Sequence, residues 1–379
     1  MCGISAIGMA QEVLLKQDFS NFTINQDWTS NSPKSVEGWS ILLCSVQNTN
    51  LFPQSLYFNY KDNNNIKGYA KTPTLNYDGD IILSFNSAKS QDHNANLSIS
   101  IEGGASSESL TISNHINSGW KNNTYIFEVS SSSRIKFGLE TYYHFVLDDV
   151  VVVKDILCDN ADNQYYLTAH NDKETDVHTK RTLTGGIWNT LCLPFNVTKA
   201  TMEAALGQDV QLRTYTGFAG NVMTFSEVTG DDVITAGTPF LLKLNTTVTN
   251  PTFNSVTVSN STAAQTVTRG DVSFIGTYSK KELATDGTEL FITTSGGLAI
   301  PTATGNVMNG MRAYIKVPES MKFTPNGVRL AIDNETTSIQ SVTTTSQPDA
   351  VYNLSGQRLQ QPRKGLNIIR KNGKLIFIR

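Results

Sequence analysis

Hydrophobic residues recur at every second position through much of the chain. Leu97, Ile99 and Ile101 alternate with Ser98, Ser100 and Glu102, and Ile135, Phe137 and Leu139 alternate with Arg134, Lys136 and Gly138. A β-strand turns successive side chains to opposite faces, so this period marks strands with one buried face and one wetted face. Further apolar or alternating runs fall at 80–86, 124–129, 142–153, 188–195, 211–215 and 239–244, with Gly, Asn and Asp between them. That punctuation belongs to short antiparallel strands joined by turns. Helix signals are scarce. The best is 198–206, where Thr198 is placed to cap the first turn and Gly207 to end the last. Ser279 and Glu282 have the spacing of a capping box, which predicts one short helical turn after Ser279. Nothing alternates strand with long helix, which argues against a parallel α/β sheet. The predicted fold is all-β: an antiparallel N-terminal sandwich, a second β-sandwich and a short C-terminal β segment.

The chain has 379 residues, enough for two or three domains at roughly 100–200 residues each. A dense apolar run at 150–153 gives way to polar residues at 155–162, which puts the end of a first domain, 11–158, near residue 158. A second domain is expected over 163–335. Residues 336–349 are rich in Thr, Ser and Gln and contain Pro348, as a linker or exposed edge would be. Residues 350–379 hold two or three short strands, too few to bury a core alone, so they are expected to dock on or join a larger sandwich. Residues 1–10 are small and apolar and end in Gly-Met-Ala before Gln11, as the remnant of a secretory signal would; the alternative is a first strand. The signal reading places the protein in the secreted fraction or on the outer cell surface.

Charged residues make up only 17% of the chain, and the net charge is −3. There is no basic footprint for nucleic acid, and no run approaches the ~20 apolar residues of a transmembrane segment. The four cysteines, Cys2, Cys44, Cys158 and Cys192, fit no zinc spacing. They read as small buried hydrophobes, with a Cys44–Cys158 pair as the alternative.

Six short motifs follow one another in the first domain: Gln-Asp-Phe-Ser at 17–20, Glu-Gly-Trp at 37–39, Lys-Thr-Pro at 71–73, the strand at 81–85, Gly-Trp at 119–120 and Phe-Val-Leu-Asp-Asp-Val at 145–150. In that order they resemble the cleaved-adhesin and related jelly-roll domains of Bacteroidetes surface proteins. The resemblance implies a jelly roll used for adhesion, for glycan binding or as an accessory beside an enzyme. The motifs at 188–195 and 234–243 resemble a segment common in secreted Bacteroides and Prevotella proteins. The tail, with Val-Tyr-Asn-Leu-Ser-Gly-Gln-Arg at 351–358, is similar to sorting domains of the type IX secretion system, though shorter.

Two groups of residues are candidates for a site. Asp148 and Asp149 are adjacent on a predicted strand, so one should face inward and need a partner. Calcium, a hard cation with oxygen ligands, would supply it; hydrogen bonding or a basic side chain is the alternative. The resemblance implies a structural calcium between this strand and the first one, where Asp18 is the matching acidic residue. The second group is aromatic. Trp39 and Trp120 fall in the shared motifs and are expected in the core, and Tyr142 and Tyr143 straddle two faces of a predicted strand, so only one can be exposed. Trp28, Tyr60 and Tyr142 are the candidate ligand contacts. No His-Glu-x-x-His, Gly-x-Ser-x-Gly or phosphate-loop motif occurs. The sequence therefore points to a non-catalytic protein that binds a glycan or a host or cell-surface protein. An accessory protein of a glycan-degrading system is the alternative, and a hydrolase the least favoured.

Overall fold

The computed structural model describes residues 12–22, 32–47, 53–61, 65–89, 95–103, 107–112, 119–260, 263–322, 327–332, 335–337, 350–352, 358–359, 367–371 and 374–378. Residues 1–10, read as a signal remnant, and Trp28 lie outside the described residues. The first unit runs through β1 (Val13–Gln17), β2 (Lys34–Val36), β3 (Trp39–Leu42), β4 (Cys44–Gln47), β5 (Ser55–Phe58), β6 (Tyr60–Lys61) and β7 (Ile66–Lys67). It continues through β8 (Tyr69–Lys71), β9 (Gly79–Lys89), β10 (Ala95–Glu102), β11 (Ser107–Ile112), β12 (Lys121–Val129), β13 (Arg134–Leu139) and β14 (Phe145–Lys154). One sheet has the order β12-β9-β14-β5-β4, with β1 also on β14; the other has the order β11-β10-β13-β8-β3-β2. All these pairings are antiparallel.

The alternation predicted for β10 and β13 is what builds this sandwich. Leu97, Ile99, Ile101, Ile135 and Phe137 meet Phe58, Leu83, Phe85, Phe145 and Leu147 from the facing sheet in one core. Trp39 is buried there, edge-on to Phe19 at 5.4 Å and stacked on Phe137 at 6.5 Å. The described cysteines, Cys44, Cys158 and Cys192, are all buried and unpaired.

The second unit is also a sandwich. A six-stranded sheet runs Trp188–Leu191, Phe240–Leu244, Val210–Ala219, Val222–Glu227, Arg329–Ile332, Glu335–Thr337. A five-stranded sheet faces it, and Tyr215, Phe225, Phe274, Leu290, Ile315 and Leu330 fill the space between them. Two pairings are parallel, Leu157–Cys158 with Glu174–Lys180 and Val222–Glu227 with Arg329–Ile332. Two helices flank the sheets: α1 (Gln164–His170) and α2 (Lys199–Leu206). The caps of α2 are those read from sequence: Thr198 accepts from the Thr201 N–H, and Gly207 ends the helix at φ 64°. The helical turn expected after Ser279 does not form. Ser279 Oγ donates to Asp162 instead, and Lys281–Glu282 pairs with Val307–Met308 as strands. The C-terminal strands pair with one another in a four-stranded sheet, the only pairing they make among the described residues.

The two sandwiches share apolar surface. Ile82 of β9 and Val151 and Val153 of β14 point out of the first sandwich and pack with Leu157, Tyr166, Leu167 and Val177 in a second core. Helix α1 lies on β9 and β12. Complete burial of Ile82 and Val153 stabilises the contact by roughly 1.5–3 kcal/mol per side chain.

Candidate functional site

The outer face of the β12-β9-β14-β5 sheet carries the site, and the strand registers define its rows. Ala88 pairs with Val146, and Val146 with Tyr57; Asn122 pairs with Asn86, and Asn86 with Asp148. Residues two apart share a face, so an aromatic row lies beside a polar row. In the first, Trp120 and Tyr57, both half-buried, pack over the buried Ala88 and Val146. Trp120 is therefore not a core residue as its motif suggested. It stands just before β12, opposite the small side chain of Ala88, and its ring covers the outside of the sheet rather than the inside.

The rings continue beyond Tyr57. His144 lies 5.1 Å from Tyr57 and 5.7 Å from Tyr60, and Tyr60 meets Tyr142 edge-on at 5.5 Å. The structure thus brings Tyr60 and Tyr142 together at one end of the aromatic row. Tyr142 and Tyr143 are both exposed, at 42% and 37%. The sequence reading allowed only one, but the strand begins at Phe145, and these residues lie in the bend before it, where faces do not alternate. Burial lowers the His144 pKa, offset by the hydrogen bond between its Nδ1 and the Phe58 carbonyl.

The polar row is a hydrogen-bonded chain. Asn122 Nδ2 donates to Asn86 Oδ1 at 3.2 Å, and Asn86 Nδ2 donates to Asp149 Oδ2 at 2.9 Å. Asp148 and Asp149 sit where β14 changes partner: β5 pairs with 145–147 and β1 with 150–153. A bulge interrupts the β9 register at the same point, and Asp149 adopts φ 48°. The expected division onto opposite faces therefore fails. Asp149 is exposed and Asp148 half-buried, with the Asp149 N–H donating to Asp148 Oδ1 at 2.8 Å. Burial pushes the Asp148 carboxyl up to about 7; that hydrogen bond opposes the rise, and the charges of Asp149 and Asp18 add to it.

Asp18 is close enough to act on Asp148, but its own carboxylate accepts from Ser20 N and Oγ at 3.0 and 2.7 Å, which lowers its pKa. Asp18, Asp148 and Asp149 are neighbours, yet each is turned to a local donor. Among the described residues no three acidic, histidine or cysteine side chains are placed to hold a metal ion. The carboxylates as they stand are not a converged calcium ligand set.

No protein-family model matches the sequence, and no curated protein is similar to it. Solved structures are similar to about 38% of the chain. A cleaved adhesin domain of Lys-gingipain from Porphyromonas gingivalis has 13% identity, with 38% of this chain and 98% of that one covered, at a TM-score of 0.28. The xylan-binding CBM22-1 domain of Paenibacillus barcinonensis Xyn10C also has 13% identity, covering 38% and 97%, at a TM-score of 0.26. A putative sugar binding protein from Bacteroides thetaiotaomicron has 10% identity, covering 38% and 100%, at 0.25.

At the far end of the same face, α1 closes over Ile126 and Ile82. Tyr165 stands at that end. Its phenol pKa is raised by burial and then by the charges of Asp149 and Asp162. Sequence reasoning missed Asn86, Asn122 and Tyr165. The strand alternation assigns Asn86 and Asn122 to the wetted face, but only the register shows that they align. No helix among the described residues is long and apolar enough to cross a membrane.

Proposed function

We propose that the chain is a non-catalytic, secreted or outer-surface protein that binds glycan on the outer face of its first sandwich. The observation that carries this reading is the juxtaposition of two rows: half-exposed Trp120 and Tyr57 beside Asn122, Asn86 and Asp148. Pyranose rings present apolar C–H faces and a rim of hydroxyls. A flat aromatic takes the first, and amides and carboxylates take the second, as both donors and acceptors. Tyr60 and Tyr142 extend the aromatic surface around the sheet edge. The amide–carboxylate chain is already connected through hydrogen bonds, so these groups are held in place before a ligand arrives. Calcium at Asp18, Asp148 and Asp149 belongs to the same proposal. Its support is the Asp148 carboxyl, half-buried and then further raised by the charges of Asp149 and Asp18, and binding requires Asp18 to turn from Ser20 and Asp149 from Asn86.

A glycan array followed by calorimetric titration of the best hit tests the proposal. Trp120→Ala and Tyr57→Ala should each weaken binding by roughly 1–2 kcal/mol, about tenfold, with little change in Tm. An array without hits, or full affinity in both folded variants, sinks it.

A further inference from the structure

A cavity of about 350 Å³ opens in the second sandwich, away from the face described above. Phe291 and Met308 are among its apolar lining residues, and Thr190, Asn306, Asn309 and Arg312 among its polar ones. The charge beneath it is unbalanced. Arg181, only 4% exposed, donates through Nη2 to the Thr190 carbonyl at 2.6 Å and through Nη1 to that of Met311. Its Nε has no partner, and no carboxylate among the described residues forms an ion pair with it. Arg312 Nη2 donates to Asp159 Oδ2 at 2.9 Å, and Asn309 reaches the same oxygen at 3.4 Å. Two guanidinium groups therefore stand against one carboxylate. Glu282, held by Asn306 Nδ2 at 2.8 Å, is exposed on the rim, where water and salt screen it far more than they screen the buried arginine.

We infer that this cavity is a second binding pocket, and that it takes a carboxylate-bearing sugar such as a uronic acid residue. The carboxylate meets the donors of Arg312 that Asp159 leaves unused, and burial strengthens such a charge-assisted contact. The C–H face of the ring rests on Phe291 and Met308, and the Asn306 amide oxygen accepts from a hydroxyl. The first-sandwich face, lined by Asp18, Asp148 and Asp149, is the wrong sign for an acidic sugar, so the two sites select different residues.

Calorimetric titration of the full chain with digalacturonate and with its neutral methyl ester separates the possibilities. The acid should bind, the ester at least tenfold more weakly, and added salt should weaken the acid alone. Arg312→Gln should weaken the acid at least tenfold, and Trp120→Ala should not change it. Should Arg312→Gln fail to fold, Arg312→Lys, which keeps a cation beside Asp159, and Asn306→Ala read the same pocket; each should weaken the acid. Equal binding of acid and ester, no binding of the acid at millimolar concentration, or full affinity in these variants overturns the inference.

Discussion

Replacing Asp148 with Asn should make the protein more stable at alkaline pH and leave it unchanged in acid. The Asp148 carboxyl titrates at about 7 against an ordinary 3.8, chiefly because it is half-buried. The folded chain therefore holds that proton more tightly than the unfolded chain. Where the native state binds more protons, stability falls as pH rises, so this carboxyl costs nothing below about 3.8. Its cost grows between 3.8 and 7 and is constant above. Converted in full, such a shift is about 4 kcal/mol. The side chain keeps contact with water, which screens the repulsion from Asp149 and Asp18, and roughly 1–2 kcal/mol is the appropriate size. Asn keeps the oxygen that accepts the Asp149 N–H but never ionises. Thermal melts in EDTA should show the variant higher in Tm by roughly 1–3 °C at pH 8, with the difference gone near pH 4. The difference between the two proteins is the informative quantity, since other carboxylates titrate in both. A gap that does not change with pH, or that grows toward acid, refutes the argument. Calcium in place of EDTA should reverse the order at pH 8, because a ligand of the native state stabilises only the protein that retains the carboxylate.

Further substitutions probe the frame. A Cβ on Gly276 would strike Cys192 Sγ and come within 3.0 Å of its Cβ, so Gly276→Ala should cost roughly 1–3 kcal/mol in denaturant melts. Cys192→Ala should recover part of that loss when combined with it, and additive losses would contradict the clash. Thr198→Ala removes the cap of α2 and should cost about 1 kcal/mol; Thr198→Asn, which caps as well, should not. Val153→Asp places a carboxylate in the contact between the sandwiches and should cost several kcal/mol in calorimetry; wild-type stability in this variant would mean the contact is not dry.

The sheets were legible because their signal is local. In β10 and β13 every second residue is apolar and all of those are buried; of the residues between them, only Gly138 is buried too. Helix α2 was legible for the same reason, since both of its caps are written within ten residues. Helix α1 was not. Its seven residues have no side-chain cap, and Asn163 before it is spent elsewhere, donating to the carbonyls of Cys158 and Tyr278. What holds α1 is Tyr166 and Leu167 packing on another sheet, a contact with no local trace. The Ser279 spacing misled for the complementary reason: the pattern was there, but Asp162, 117 residues away in sequence, took the hydroxyl. The candidate site was half legible. Period-two reasoning put two adjacent aspartates on opposite faces of one strand and asked for a partner for the inward one. It did not foresee the bulge, because a bulge here follows from β1 and β5 ending against the same edge of β14. Tyr60 and Tyr142 were named one by one, and their contact depends on a fold that brings distant segments together.

Strand β14 belongs to both cores: Val150 and Val152 face inward to the first, Val151 and Val153 outward to the second. A change that loosens either core therefore strips cover from the other along the same backbone. The two sandwiches should melt in a single calorimetric transition, and an expression clone cut after residue 158 would release a first sandwich with a bare greasy flank.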